Sequence, residues 1–211
     1  MTGNFRCKAI LFDLDGTLID SLPAVDRAWR TFSRRHGLDE SYVLTQIHGR
    51  RSIDSIRFLL PEVDAEAEDR FMRSLETSDT RGVILLPGTI ELLSSLPSER
   101  WAVVTSGTSD VAGARMNAVG LPRAGAYVFG EDIVNGKPAP DPFLKAAEKL
   151  GLPPAHCVGV EDTEAGCRSI EAAGMPAVAI RLPDRSPSIQ DLRDMKVEVV
   201  GEDLLISFSE G

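Results

Sequence analysis

Four short apolar runs constrain what this chain can fold into more strongly than any other feature. They are KAILFD (8–13), WAVVT (101–105), CVGV (157–160) and AVAI (177–180). Continuous apolar runs of this kind are typical of strands that are buried on both faces of a parallel sheet. Helical patterns that end at a glycine separate the last three runs, at 111–119, 141–150 and 163–173. This alternation predicts right-handed βαβ connections, so we expect an α/β fold with a doubly wound, mostly parallel, Rossmann-like sheet.

The stretch 21–86 interrupts this alternation, because it contains no convincing strand. It carries three apolar stripes at helical spacing instead. They comprise Val25, Ala28, Trp29 and Phe32, then Ile53, Ile56 and Leu60, and then Val63, Ala67, Phe71 and Leu75. A chain of 211 residues suits one domain with a large insertion better than two equal domains. We expect a helical domain at 21–86, inserted into an α/β core formed by 1–20 and 87–211.

The formal net charge of −9 argues against a nucleic acid or a membrane surface as a partner, because phosphate groups would be repelled. The three cysteines, Cys7, Cys157 and Cys167, form neither a CxxC motif nor a Cys/His metal spacing. That favours buried thiols and a reducing compartment. The N-terminus shows no apolar signal region, and no apolar run reaches 18 residues. We expect a soluble, cytoplasmic protein that is a monomer by default.

Polar residues that could take part in catalysis lie at four places where strands are expected to end. They are Asp13 and Asp15 in FDLDGT, Thr105 and Ser106 in VVTSG, Lys137 in NGKPAPDP, and Glu161 and Asp162 in VEDTEAG. In a doubly wound sheet, functional groups gather at the carboxyl ends of the strands. This set supplies a nucleophile, an acid/base, a hydroxyl, a cation and a pair of metal-binding carboxylates. It predicts phosphoryl transfer with Mg2+.

The carboxylates divide into reacting groups and metal ligands. Asp13, at the tip of a predicted strand, can attack phosphorus and form an aspartyl phosphate, which replaces one difficult hydrolysis by two easier steps. Asp15 can protonate the leaving oxygen and then deprotonate the attacking water. A hard divalent cation must lie between the attacking carboxylate and the phosphate, because the two repel each other. We expect Asp162 to be a further metal ligand and Glu161 to be a weaker ligand or a supporting residue.

Groups that bind the phosphate are expected beside these carboxylates. The hydroxyl of Thr105 and the backbone amides of Ser106, Leu14 and Asp15 can hold the non-bridging oxygens. Lys137 can neutralise the charge that develops in the transition state. A lone lysine is more often a solvated loop residue, but Lys137 precedes a proline in a rigid loop, which favours the catalytic interpretation.

The motifs FDLDGT, VVTSG, GKPAPDPF and VEDTEAG, in this order, resemble the four motifs of the haloacid dehalogenase-like superfamily. The inserted helices resemble the cap of its phosphoglucomutase and phosphatase branch. The segments 7–38 and IHGRRSID (47–54) are further similar to the sugar-phosphatase and glycerol-3-phosphatase group. This resemblance implies Mg2+-dependent hydrolysis of small sugar or polyol phosphates. It carries the family's roles over to Asp13, Asp15, Thr105, Lys137 and Asp162, and implies that Asp15 also binds the metal through its backbone carbonyl.

The residues of cap and hinge that contact the substrate are expected to be Ser21, His48, Arg50 and Arg51. His48 and the two arginines belong to a loop that could reach the core site and contact sugar hydroxyls. The alternative is a solvated turn with two exposed arginines. Ser21 lies at the hinge between core and cap, where it is expected to face the substrate.

Other chemistries on the same motifs agree less well with the sequence. A dehalogenase would not need Asp15, and a phosphonatase of this family needs a cap lysine, which 21–86 lacks. A β-phosphoglucomutase shares all four motifs and stays as an alternative, although such mutases carry a lysine where His48 stands. A receiver-type signalling module also places acidic residues, a hydroxyl and a lysine on a doubly wound sheet. It needs no lid, and the close spacing of Asp13 and Asp15 argues against it.

Overall fold

The computed structural model describes residues 2–47 and 49–209, and this part of the chain forms eleven strands and eight α-helices. The strands are β1 (Thr2–Cys7), β2 (Ala9–Phe12), β3 (Ile19–Asp20), β4 (Ile84–Leu85), β5 (Trp101–Val104), β6 (Ala126–Val128), β7 (Cys157–Glu161), β8 (Ala177–Ile180), β9 (Ser188–Ile189), β10 (Met195–Val200) and β11 (Asp203–Ser209). The helices are α1 (Leu22–His36), α2 (Glu40–Ile47), α3 (Ser52–Leu59), α4 (Ala65–Ser78), α5 (Thr89–Ser94), α6 (Ser109–Val119), α7 (Asp141–Lys149) and α8 (Glu164–Ala172).

A six-stranded parallel sheet, in the order β6-β5-β2-β7-β8-β9, forms the centre of the core. All four predicted strands lie in it, as β2, β5, β7 and β8. Every residue of β2, β5 and β7 is buried, which explains their continuous apolar sequences. The predicted mostly parallel α/β sheet is therefore confirmed.

Alternate residues of β2 point to the two faces of this sheet. Ile10 and Phe12 join a cluster with α5 and α6, whereas Ala9 and Leu11 join a second cluster with α7 and α8. Both faces are thus covered, as a parallel sheet requires. The carboxyl ends of the strands stay open at one edge, where the loops that follow β2, β5 and β7 meet.

A second sheet, with the order β1-β11-β10, is antiparallel and was not predicted from the sequence. It joins the two ends of the chain, since Cys7 pairs with Leu204 and Phe5 with Ile206. Leu204, Ile206 and Phe208 point inward and belong to the same apolar cluster as Phe12. This sheet extends the core beyond the strands that the apolar runs indicated.

Helices α1 to α4 form the insertion, with an apolar cluster of their own. The three predicted helical stripes correspond to α1, α3 and α4, and α2 was not predicted. At the base of the insertion, β3 pairs with β4 through Ile19 with Leu85 and Asp20 with Ile84. Strand β4 corrects the expectation that 21–86 holds no strand, because two residues are too short to give a period-two pattern. The exact division at 21 and 86 stays a prediction.

Buried thiols are confirmed for Cys7, Cys157 and Cys167, which are all free. Burial raises the pKa of these thiols to about 12, 11 and 12, respectively. Among the described residues, no helix is both long and apolar enough to cross a membrane.

Candidate active site

The floor of the site is a buried ion-paired group at the carboxyl ends of β2, β5 and β7. The Nζ of Lys137 donates to Oδ1 of Asp13 at 2.5 Å, to Oε2 of Glu161 at 2.7 Å and to the carbonyl of Val104 at 3.2 Å. Parallel strands end at the same edge of the sheet, so residues that are far apart in sequence meet here. Three of the predicted site residues therefore make direct contact.

Burial and neighbouring carboxylates control the protonation of this group. Burial raises the pKa of Asp13 well above its usual range, Glu161 raises it further, and the positive charge of Lys137 opposes both. Burial alone would lower the pKa of Lys137, but Asp13 and Glu161 outweigh it and raise this pKa. Lys137 is therefore a permanent cation beside the predicted nucleophile.

Asp13, Glu161 and Asp162 each place a carboxylate oxygen within 4.8 Å of the others. Burial, and then Glu161, raise the pKa of Asp162 to about 7, while Lys137 and Arg181 oppose that rise. Three carboxylates around one lysine leave an excess of negative charge in a buried place. An all-oxygen donor set with excess negative charge fits a hard divalent cation such as Mg2+.

Glu161 supports its neighbours through both carboxylate oxygens. Its Oε1 accepts from the Asp162 amide at 3.1 Å, from the Thr163 amide at 2.9 Å and from the Thr163 hydroxyl at 2.8 Å, while Oε2 accepts from Lys137. The side chain is buried, and a β-carbon at Gly166 would collide with it. This arrangement favours the supporting role over the weaker-ligand role, because both oxygens already accept hydrogen bonds within the protein.

Gly16 allows the loop after Asp15 to lie against the carboxylate of Asp162, a predicted metal ligand. Its φ of 95° lies in the left-handed region, and a β-carbon there would collide with the Asp162 carboxylate. The hydroxyl of Thr17 lies 3.3 Å from Oδ1 of Asp162. The FDLDGT loop therefore holds Asp162 in place as well as supplying Asp13 and Asp15.

The predicted phosphate-binding residues surround the same point. Thr105 is buried, its hydroxyl oxygen accepts from the Gly107 amide at 3.0 Å, and the same oxygen lies 3.4 Å from Oδ2 of Asp15. The hydroxyl of Ser106 donates to the carbonyl of Gly49, a cap residue, at 3.3 Å. Leu14 is buried, and its carbonyl accepts from the amides of Leu18 and Ile19. These contacts place the loops after β2 and β5 next to each other.

Two arginines at the site belong to no motif and were not predicted from the sequence. Arg115 donates to Asp15 at 2.9 Å and to Glu76 of α4 at 2.8 Å. Arg181, after β8, donates to the carbonyl of Gly16 at 2.6 Å and adopts a φ of 54°. Arg115 could have been noticed from its place on the buried stripe of α6 that Val111 and Ala112 begin.

A family model for haloacid dehalogenase-like hydrolases matches residues 7–174. The chain belongs to this family. The match runs from the last residue of β1 to beyond α8, so it spans the helical insertion and all four motif segments. The family expectation from the sequence is confirmed, and it decides against the receiver-type alternative.

This hydrolase is 46% identical over 192 residues to hexitol phosphatase A of Escherichia coli (strain K12), a match that covers 89% of each chain. It is also 33% identical over 192 residues to glycerol-1-phosphate phosphohydrolase 2 of Saccharomyces cerevisiae, covering 84% of this chain and 76% of that relative. Together with the family match, these relatives confirm the predicted class of enzyme, a phosphoric monoester hydrolase.

Solved structures confirm the fold of the hydrolase. CbbY from Rhodobacter sphaeroides in complex with phosphate matches with a TM-score of 0.72 at 23% identity, covering 88% of this chain and 95% of that one. A HAD hydrolase of family IA, variant 3, from Entamoeba histolytica matches with a TM-score of 0.72 at 25% identity, covering 89% and 95%. The parallel core with a helical cap is thus an architecture that these proteins share.

Cap and core of the hydrolase enclose a cavity of about 890 Å3 above the ion-paired floor. Ser21, Arg50 and Arg51 line it, as expected, while His48 lies outside the described residues. Ser21 is buried and Arg50 is exposed, with its guanidinium 5.7 Å from the centre of the Phe58 ring. Their substrate-binding roles stay predictions.

Arg51 makes contacts beyond those expected of a substrate-binding residue. Its guanidinium binds both carboxylate oxygens of Asp54, at 2.6 and 3.0 Å, and donates to the carbonyl of Ile133 at 3.3 Å. The side chain lies close against Gly136, just before Lys137. Arg51 therefore connects the cap to the core loop that carries Lys137.

Proposed function

We propose that this protein is a Mg2+-dependent phosphatase that hydrolyses small sugar or polyol phosphates through an aspartyl phosphate on Asp13. The observation that carries the proposal is the contact of Lys137 with both Asp13 and Glu161 beneath a cavity that a helical cap covers. The positive charge of a buried lysine opposes the rise in the pKa of Asp13 that burial causes, and it can stabilise the charge of a phosphoryl transition state.

In the first step, an oxygen of Asp13 attacks phosphorus while the bond from phosphorus to the sugar oxygen breaks. Asp15 gives its proton to that oxygen, so a neutral alcohol leaves. The hydroxyl of Thr105 and the amides of Leu14 and Ser106 hold the other phosphoryl oxygens, and Lys137 balances their charge. Mg2+ held by Asp13, Asp162 and the backbone carbonyl of Asp15 would supply the positive charge that lets two anions approach.

In the second step, Asp15 accepts a proton from water as that water attacks phosphorus. The bond between phosphorus and the Asp13 oxygen breaks, which releases inorganic phosphate and restores both carboxylates to their starting states. Glu161 does not react in either step. It holds Lys137 on one side and the Asp162 and Thr163 amides on the other.

The substrate class follows from the cavity and the relatives. A cavity of about 890 Å3 has room for a six-carbon phosphate ester beneath the cap. Its cap wall presents polar groups, including Asp69, Arg57 and Ser52, that can bind hydroxyl groups. Similarity to hexitol phosphatase A makes hexitol phosphates the first esters to test, and glycerol phosphates come next. The proposed partner is therefore a small phosphate monoester.

Phosphate release from a panel of esters tests the proposal. The panel holds hexitol, hexose and glycerol phosphates at fixed Mg2+, each repeated with a chelator and then with Mg2+ restored. We expect turnover of at least one polyol or sugar phosphate, loss of turnover on chelation and recovery with Mg2+. Absence of phosphate release from every ester would refute the proposal. Conversion of glucose 1-phosphate into glucose 6-phosphate without free phosphate would favour the mutase alternative.

A further inference from the structure

A buried arginine connects the cap to the carboxylate that the proposed function uses as acid and base. We propose that Arg115 is a positioning residue that orients Asp15, and that Glu76 of the cap couples this orientation to docking of the cap on the core. The inference rests on the proposed function, because it assigns Arg115 a part in the proton transfers of that reaction.

The contacts of Arg115 divide between core and cap. Its Nη1 donates to Oδ1 of Asp15 at 2.9 Å, and its Nη2 donates to Oε1 of Glu76 at 2.8 Å. The other oxygen of Asp15 lies 3.4 Å from the Thr105 hydroxyl. The Asp15 carboxylate is therefore held at both oxygens, and one of these contacts depends on a side chain that the cap also binds.

The ion pair of Arg115 and Glu76 differs from an ordinary surface ion pair because both side chains are buried. Arg115 is 4% exposed and Glu76 is 7% exposed, although they belong to different parts of the molecule. The Nε of Arg115 is buried without a partner among the described residues. A buried ion pair with an unsatisfied donor contributes little to stability, since apolar residues of similar size at the same positions often stabilise the fold equally well. Its contact with Asp15 supplies a reason for the arginine.

A second ion pair between the same two helices offers an internal comparison. Arg73 of α4 binds Asp110 of α6 at 2.8 Å, and both side chains are more than a third exposed, at 35% and 42%. Both pairs join cap to core, but among the described residues the hydrogen bonds of Asp110 go to Arg73, Thr108 and Val111 and none goes to Asp13 or Asp15. Loss of the Arg73 pair removes a cap–core contact and leaves the orientation of Asp15 intact.

The leaving group of the substrate distinguishes an effect on Asp15 from a general loss of structure. A sugar or polyol oxygen needs a proton as it leaves, whereas p-nitrophenolate leaves without one. We expect Arg115→Met to lower kcat/KM for the best polyol phosphate on the order of 100-fold, because kcat/KM reports the steps up to the aspartyl phosphate, where general acid catalysis contributes at least that much. For p-nitrophenyl phosphate we expect a loss of kcat/KM of less than about 3-fold, because p-nitrophenolate leaves without a proton from Asp15. The later hydrolysis of the aspartyl phosphate, in which Asp15 acts as base for both esters, does not enter kcat/KM.

Three further variants complete the test. Glu76→Gln should show the same leaving-group selectivity with a smaller loss, about 10-fold, because the amide still accepts from Arg115 but without charge. Arg115→Lys, which keeps the charge, should recover part of the loss. Asp110→Asn is the matched control and should stay within about 2-fold of the wild type on both esters, as exposed pairs contribute little.

The variant Arg115→Met leaves Glu76 buried without its cation, so it is also made together with Glu76→Leu to restore a neutral interior. We expect the double variant to regain thermal stability and to keep the selective loss on the polyol phosphate. Equal losses of kcat/KM on the two esters would overturn the inference. Recovery of activity on the polyol phosphate together with thermal stability would also overturn it. The wild-type rates are measured first: if neither ester is turned over, the proposed function itself fails, and with it the inference.

Discussion

The two walls of the cavity hold their charged side chains in different ways. On the core wall, Lys137 contacts Asp13 and Glu161 at 2.5 and 2.7 Å, and all three are buried. On the cap wall, Arg57 pairs with Glu66 while their side chains stay 53% and 60% exposed. Buried charges act strongly on a reacting group, whereas water and salt screen exposed charges. The comparison predicts that the chemistry depends on the core and that the exposed cap residues adjust which ester reaches it. Glu76, a buried cap residue, is expected to act with the core through Arg115.

Replacement of the nucleophile is expected to have the largest effect. Asp13→Asn should lower phosphate release on the order of 10^4-fold or more, because an amide oxygen cannot form the acyl phosphate at a useful rate. Steady-state release from the best ester of the panel measures it. The control is Asp184→Asn, which changes an exposed aspartate in the same way. An Asp13 variant with most of its activity would break the assignment of the chemistry to the core wall.

Removal of the buried lysine should come second. Lys137→Met is expected to lower kcat about 10^2- to 10^3-fold, because it removes the cation that stabilises the transition state. It should also lower the free energy of unfolding by about 3–5 kcal/mol, since Asp13 and Glu161 would stay buried without their cation. Kinetics and urea unfolding report the two effects. Lys145→Met is the matched control, because Lys145 forms a surface pair with Glu148; equal effects of both variants would contradict the comparison.

A smaller effect is expected from the cap wall. Arg50→Ala should raise KM for the best ester about 3- to 10-fold and leave kcat within about 2-fold, as expected for a residue that binds ground state and transition state alike. Arg34→Ala serves as the control, because Arg34 belongs to the cap but pairs with Glu40 away from the cavity. A large fall in kcat for the Arg50 variant would place part of the chemistry in the cap.

The smallest expected effect concerns the core thiols. Cys7, Cys157 and Cys167 have pKa values raised by burial to about 12, 11 and 12, so unfolding lets them ionise more easily. Their contribution to stability is fully present below the ordinary thiol pKa, near 9, and is lost as pH rises through the raised values. The free energy of unfolding should therefore decline between about pH 9 and pH 12.

Urea unfolding across that pH range measures the decline. The variant Cys157→Ala removes one of the three contributions and should flatten it. A thiol reagent should label the folded protein slowly at pH 8, since only the thiolate reacts. Rapid labelling of the folded chain would show that this part of the core is more open than the structure describes.

How far the sequence predicts the molecule depends on how far apart the interacting residues lie in the chain. Strand β2 and Asp13 are adjacent, so an apolar run followed by a carboxylate indicates both at once. Helix α2 and strand β4 carry weak patterns because they are short. Strand β10 does alternate between apolar and polar residues, but which of its faces points toward the core is fixed only by its pairing with β11.

The site shows the same dependence. Motif residues at neighbouring strand ends were expected to meet, and Asp13, Lys137 and Glu161 do so. Arg51 has a second partner, Ile133, that lies 82 positions away and that no spacing could indicate. The hydrogen bonds of Glu161 favour a supporting role over direct binding of the metal, a preference that residue type alone does not indicate.

The order of four motifs on alternating strands and helices was determined by the sequence, and with it the carboxylates that are proposed to react. The reason is that carboxyl ends of parallel strands must share one edge, so residues next to those strands come together whatever the rest of the chain does. The Arg115 contacts with Asp15 and Glu76 and the β1-β11-β10 sheet were decided by the tertiary structure. The Arg115 contacts depend on how the cap docks on the core, and the sheet depends on how β1 meets β11. Both arise from packing between segments that are distant in the chain, so they leave no local pattern in the sequence.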